Sequence, residues 1–448
     1  MPAMHEIGAA EAARRIRSGA LSPSNLLAAC LRRIDAVESA VGAWARLDRD
    51  AAARVAVQRD IEAREGRFMG PLHGVPIALK DIFDAAGVPT AGGAPAWAVR
   101  TPTTDADSVA RLRGAGAVPM GKLATTPFAY FDPSATRNPW NPEHTPGGSS
   151  SGPAAAVAAR MVPLALGSQT IGSILRPAAY CGVVGFKPTH GRISANGVMR
   201  LAESLDHVGI FARTVEDCAL ALSLLAGRAE GDRGARAAGA EDYVAAIADA
   251  AAPRIGVLAS LMAQATPGMG KHLEAVIQTL ASAGARLVEV TLPPSFPVLA
   301  EAGTTVLRAE AAAAHAGLYA RHGGEYPPRI KELIEAGHRV AATEYLAAQA
   351  ARHAARADLD AVAGRYDALL APTIGAPAPR GLTATGDPSF CAPFSFAGLP
   401  TLALPTTVDG SGLPLSAQLI GRAWGECRVL AAAAWCERAI AFDAAPPL

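Results

Sequence analysis

From Gly70 onward the chain is made of short apolar runs bounded by glycine and proline, and these alternate with helical stretches almost to its end. Gly74 to Asp81 reads as a buried strand running into a turn. Ala117 to Met120, Leu164 to Leu166, Arg254 to Leu258, Arg286 to Leu292, Tyr366 to Pro372 and Thr401 to Pro405 read as further strands. Between them, Thr104 to Gly114, the residues after Thr214, Lys271 to Ala283, Val298 to Arg321, Ala342 to Ala363 and Glu426 to Ile440 read as helices. Upstream, residues 1–65 read as helices, one from Ile7 to Ser18 stopped by Gly19 and one towards Val41, opened by Ser22 with Pro23 at its first position. Gly227 to Ala240 is of low complexity and is expected to be a surface linker. Strands and helices mixed along the whole length, without an internal repeat, predict one α/β domain over 1–448, its large sheet covered on both faces.

Balance of charge narrows the function. The 448 residues carry 41 basic and 40 acidic side chains and are half hydrophobic, which excludes a disordered chain. A surface this balanced offers no long-range attraction for nucleic acid or an anionic membrane, so a small molecule is the expected partner. Apolar stretches such as Ala154 to Leu166 are interrupted by Arg160 and fall short of the roughly 20 residues that span a bilayer. With no apolar signal core near Met1, a cytoplasmic protein is expected. Cys30, Cys181, Cys218, Cys391, Cys427 and Cys436 form no CxxC pair and no cluster with histidine, so reduced thiols are expected, with no metal and no cofactor.

Two glycine and serine turns carry the chemistry. Pro146-Gly147-Gly148-Ser149-Ser150-Ser151-Gly152 has the composition of a flexible linker, yet it passes straight into the apolar helix Pro153 to Ala159, where a linker would stay polar. Gly167-Ser168-Gln169-Thr170-Ile171-Gly172-Ser173 follows the strand ending at Leu166. A serine on such a turn presents its hydroxyl while neighbouring amides converge on one point, a geometry suited to acyl transfer. The hydroxyl needs a base. His73, His144, His190 and His207 stand nearby in sequence, but none falls in a motif pairing it with a nucleophile and an acid. Lys80, ending an apolar strand, is the other candidate, since burial lowers an amine's proton affinity.

Together these segments resemble the amidase signature family. The two turns, the run from Pro177 to Thr189, Gly74 to Asp81, Gly398-Leu399-Pro400 and Gly412-Leu413-Pro414 follow its signature. The likeness covers about Ile7 to Ala226 and Tyr366 to Ile440, with 66–226 and 366–448 as the signature core and 227–365 as a divergent, mostly helical insert. The resemblance implies a large central mixed β-sheet and a Ser, cis-Ser, Lys triad: Ser173 as nucleophile, Ser149 as bridging serine in a cis peptide, Lys80 as base. It also implies an oxyanion hole of the backbone amides of Thr170, Ile171, Gly172 and Ser173.

Departures from the family's pattern bear on specificity. Gln169 stands where Asp is frequent, and Ile171 and Ser151 where Gly is frequent; the Ile171 side chain is expected to narrow the pocket. Leu175 occupies the position of a frequent arginine, and Arg176 follows it, as in the malonamidase-type branch, where the shifted arginine binds a substrate carboxylate. Two readings of Arg176 stay open here, recognition of an anionic or polar acyl group and a structural ion pair. Tyr130 and Phe131 are pocket candidates and Phe128 equally a core residue; Asp81 is expected to orient the local backbone or Lys80 itself. The implied activity is hydrolysis of a small-molecule amide, with carbamate (urethane), urea-like and ester bonds within reach of the same chemistry. An aminoacyl-tRNA amidotransferase A-type subunit, against which Gln169 and Arg176 argue, and a non-catalytic binding protein are the alternatives. The helices between Val298 and Ala363 suit a lid, a cover for the sheet or the surface of a homodimer.

Overall fold

The computed structural model describes residues 3–227 and 241–448. Its strands are β1 (Trp44–Leu47), β2 (Pro76–Lys80), β3 (Val118–Leu123), β4 (Leu164–Gln169), β5 (Val184–Lys187), β6 (His207–Ala212), β7 (Arg254–Val257), β8 (Arg286–Glu289), β9 (Ala368–Pro372), β10 (Thr401–Val408) and β11 (Pro414–Ile420). Among the described residues all eleven join one sheet in the order β1-β3-β2-β4-β6-β5-β10-β11-β9-β7-β8. The sheet is mixed. β2 runs parallel to β3 and β4, and β7 parallel to β8 and β9, whereas β4–β6, β5–β6, β5–β10, β10–β11 and β9–β11 are antiparallel.

Every residue of β2, β4, β5, β6, β9 and β11 is buried. Successive side chains of a strand point to opposite faces, so burial at every position means cover on both sides. Helices provide it: Ser151–Ala158 packs on β4, Val215–Leu225 on β6 and Glu426–Ile440 on β10. The expected α/β sheet covered on both faces is therefore present.

Several elements differ from the sequence reading. Trp44–Leu47 is a strand inside the segment expected to be helical, and β5, β6, β11 and the helix Pro328–Gly337 were not foreseen. β1 is too short to display a period, and β6 (His-Val-Gly-Ile-Phe-Ala) is so evenly apolar that nothing in it alternates. β4 runs on to Gln169 rather than ending at Leu166, so Ser168 and Gln169 belong to the strand. Apart from Gly227, the linker expected over 227–240 lies outside the described residues. No described helix is long and apolar enough to cross a membrane. The six cysteines are free, and all but Cys427 are buried.

One register sets the site. β2 and β4 are parallel neighbours with Leu79 opposite Leu166, so Lys80 and the turn after Gln169 emerge at the same end of the sheet. In α/β sheets the space beyond the carboxyl ends of parallel strands is where ligands bind.

Candidate active site

Lys80 is wholly buried, and its Nζ donates to Ser149 Oγ at 2.7 Å and to Ser168 Oγ at 2.9 Å. Burial lowers its pKa to about 7, against the opposing pull of the Asp206 charge. Near neutrality a large share of Lys80 is thus uncharged amine with a lone pair for a proton.

Ser149 is 2% exposed and follows a cis Gly148–Ser149 peptide. Its surroundings are pinned: Arg176 Nη2 donates to Gly148 O at 2.7 Å, and Thr125 Oγ1 to Ser149 O at 3.1 Å. At Gly147 the backbone has φ +81°, and a Cβ would lie 2.9 Å from Pro177 Cα, so both conformation and space demand glycine. Ser151 Oγ closes the turn onto Gly147 O at 2.8 Å.

Ser173 lies just ahead of the helix Leu175–Cys181, in a pocket shared with Tyr130, Phe131, Thr170, Ile171 and Arg176. The pocket measures about 10 Å³, room for one water-sized group, with the Ile171 side chain and the two aromatic residues forming its walls. Among the described residues no hydrogen bond ties the Ser173 hydroxyl to Ser149 or Lys80. Nor does any described group accept from the amides of Thr170, Ile171, Gly172 or Ser173, which leaves four donors on one turn.

Gln169 shapes that turn. Its Oε1 accepts from the amides of Ile174 at 2.7 Å and Leu175 at 2.9 Å, and its Nε2 donates to Ser395 Oγ at 2.7 Å. Ser395 Oγ in turn donates to Ile171 O at 2.6 Å, which ties the turn to the helix Ala392–Phe396. Gln169→Ala would orphan two buried amides, each costing about 1–3 kcal/mol. A loss of about 3 kcal/mol is expected, read as a lower midpoint of urea unfolding.

Other residues resolve as follows. Arg176 is buried and held by neutral oxygens, Gly148 O, Gly386 O and Thr385 Oγ1, with no ion pair among the described residues; the structural ion pair is not formed. Asp81 faces Lys122 at 3.6 Å and accepts from Ala91 N, orienting the backbone and not Lys80. His73, His144, His190 and His207 each spend a ring nitrogen on a backbone carbonyl. Phe128 is core, 1% exposed and stacked on Tyr326. Ser168 and Asp206 were missed by the sequence reading. Asp206 accepts from Thr170 Oγ1 at 2.5 Å and from the amides of Leu201 and Ala202, and burial raises its pKa to about 6. Neither carries a sequence signal by type alone, since each becomes notable only once the fold sets it beside Lys80 or Thr170.

Comparison with known proteins places the chain. The family model described as Amidase matches residues 25–430. The putative amidase AmiD of Mycobacterium tuberculosis is 37% identical over 439 aligned residues, covering 95% of this chain and 92% of that one. The A-type component of the glutamyl-tRNA(Gln) amidotransferase of Chloroflexus aurantiacus is 35% identical over 468 aligned residues, 96% of each chain. The solved peptide amidase of Stenotrophomonas maltophilia superposes with a TM-score of 0.85 at 32% identity, over 98% of both chains. An amidase and an amidotransferase component are thus almost equally similar to this chain. With a family model spanning nearly its whole length, and relatives aligned over more than nine-tenths of it, the chain belongs to the amidase family, the amidohydrolases of the amidase signature.

Proposed function

We propose that the enzyme hydrolyses the C–N bond of a small-molecule amide through an acyl-enzyme on Ser173, with Lys80 as base and Ser149 as relay. The observation that carries this reading is a wholly buried lysine, its pKa lowered to about 7, hydrogen-bonded to Ser149. Neutral Lys80 takes the Ser149 proton while Ser149 takes the proton of Ser173, whose oxygen attacks the carbonyl carbon. The negative charge that develops on the carbonyl oxygen is met by the free amides of Thr170, Ile171, Gly172 and Ser173. Protonated Lys80 returns its proton through Ser149 to the leaving nitrogen, and the C–N bond breaks. Water then attacks the ester along the same relay, releasing the acid and restoring Ser173.

Arg176 supports an anionic or strongly polar group on the substrate. A buried guanidinium without a carboxylate is costly, and this one lines the Ser173 pocket with its Nε unpartnered. Carbamates, urea-like compounds and esters reach the same acyl-enzyme chemistry. The test is intact mass after a serine-directed fluorophosphonate, with peptide mapping of the adduct and a panel of amides, carbamates and esters. An adduct on another residue would overturn the assignment. Co-purifying partner chains and no free amidase activity would favour an amidotransferase component instead.

Asp206 supplies a pH signature. Arg200, His207 and Lys80 are the ionisable groups around it, and its charge favours protonated Lys80. Activity in kcat/KM is expected to fall below about pH 7 as Lys80 becomes charged. Asp206→Asn removes the negative neighbour, so that acid limb moves to lower pH, with kcat down about tenfold from the weaker hold on Lys80 in its charged form. A pH profile checks both.

A further inference from the structure

The pocket around Ser173 is tiny, yet a cavity of about 890 Å³ opens close by, between residues 97–100, residues 199–204 and the helices Val298–His322 and Ala342–Ala363. Trp97, Phe128, Met199, Leu318 and Tyr345 give it a largely aromatic and apolar wall. Its charged residues are already engaged. Arg200 pairs with Glu203 at 3.4 Å and Arg100 with Asp84 at 2.5 Å, while Glu310 accepts from Ser204, Tyr345 and Gln349. With these charges already offset within the protein, the cavity suits a flat neutral group better than an ionic one.

The cavity adjoins the site. A second small space shares Met199 and Arg200 with it and shares Ala129, Thr170 and Leu201 with the Ser173 pocket. One apolar cluster also runs from Trp97 and Tyr345 through Phe128 and Leu201 to Ile171 and Tyr130. The partition between the two spaces is strained: Phe128 and Ala129 have φ of 52° and 60°, two successive non-glycine residues in the left-handed region. Phe128 faces the large cavity and Ala129 the Ser173 pocket. Met199, which lines both the large cavity and the second small space, is an unbranched thioether that repacks readily.

We infer that this cavity is the chamber for a neutral aryl arm of the substrate, admitted past Met199 while the reacting carbonyl sits at Ser173. The inference rests on the Ser173 reading above. Its volume lies in the range of sites that enclose whole small molecules, so the arm extends to two fused rings.

The test is a pair of substrate series, acetamide, phenylacetamide and 2-naphthylacetamide for an arm on the acyl side, and N-methyl-, N-benzyl- and N-(naphthylmethyl)acetamide for one on the amine side. One series is expected to gain at least tenfold in kcat/KM from its first member to its last. Ala314→Trp, at an exposed position on the cavity wall, is expected to collapse that ratio towards one, and Ala313→Trp serves if the first variant fails to fold. No gain in either series, or a gain that survives both substitutions, would overturn the chamber. Calorimetry with 2-naphthylacetamide on Ser173→Ala protein, with and without Ala314→Trp, reads the chamber without turnover. Hydrolysis persisting in Ser173→Ala would sink the nucleophile while that binding experiment still decides the chamber.

Discussion

Ser173→Ala protein is expected to fold normally and to lose amide hydrolysis by a factor of about 10⁴ or more, the scale on which nucleophile deletions act in serine hydrolases. The side chain is small and 8% exposed, and among the described residues its hydroxyl makes no hydrogen bond to Ser149 or Lys80, so its removal leaves no buried partner stranded there. Melting temperature and circular dichroism should match the parent, while the mass adduct with a fluorophosphonate disappears. An adduct of undiminished yield in this variant would move the nucleophile elsewhere, with Ser149 the first place to look. Residual turnover of more than about one part in a hundred would say that Ser173 is not the nucleophile.

Lys80→Met is expected to remove about 10³-fold in kcat/KM, within the range of a lost general base, and to flatten the acid limb near pH 7. Methionine fills similar volume without an amine to desolvate, so the fold should survive even though Ser149 and Ser168 lose a common partner. The decisive readout is the rate of Ser173 phosphonylation against pH. The parent should lose reactivity as pH falls through about 7, and the variant should be slow and nearly pH-independent across that range. A variant that keeps the parent's limb would assign the titration to another group, Asp206 with its pKa of about 6 being the nearest.

Much of the fold is legible in the sequence, and the reasons are local. Gly74 to Asp81 is apolar and bounded by glycine and a charged residue, so a buried strand delivering Lys80 follows from its own pattern. Gly147 marks the first serine turn because only glycine tolerates the backbone found there. What stayed hidden is pairing between distant segments. Ser395 holds Ile171, and Asp206 holds Thr170, yet Ser and Asp are common residues whose meaning comes from a neighbour far away in sequence. For Arg176 the type of residue allowed either an ion pair or an open cation, and only the three neutral oxygens around it removed the first. Strands such as β6 escaped because a segment buried on both faces has no alternation to read.

The strand order also has a history written into it. β5 finds its outer neighbour not in β6 alone but in β10, so Lys187 pairs with Thr401, from near the far end of the chain. During synthesis the half that carries both serine turns therefore waits, one sheet edge bare, until the last strands leave the ribosome. Such long-range closure is slow and leaves an edge open to the wrong partner. A truncation removing β10 and β11 should accordingly fail as a soluble protein even though Lys80, Ser149 and Ser173 are all retained, and the yield of folded protein in a cell should respond to chaperone supply more than to a substitution such as Ser173→Ala.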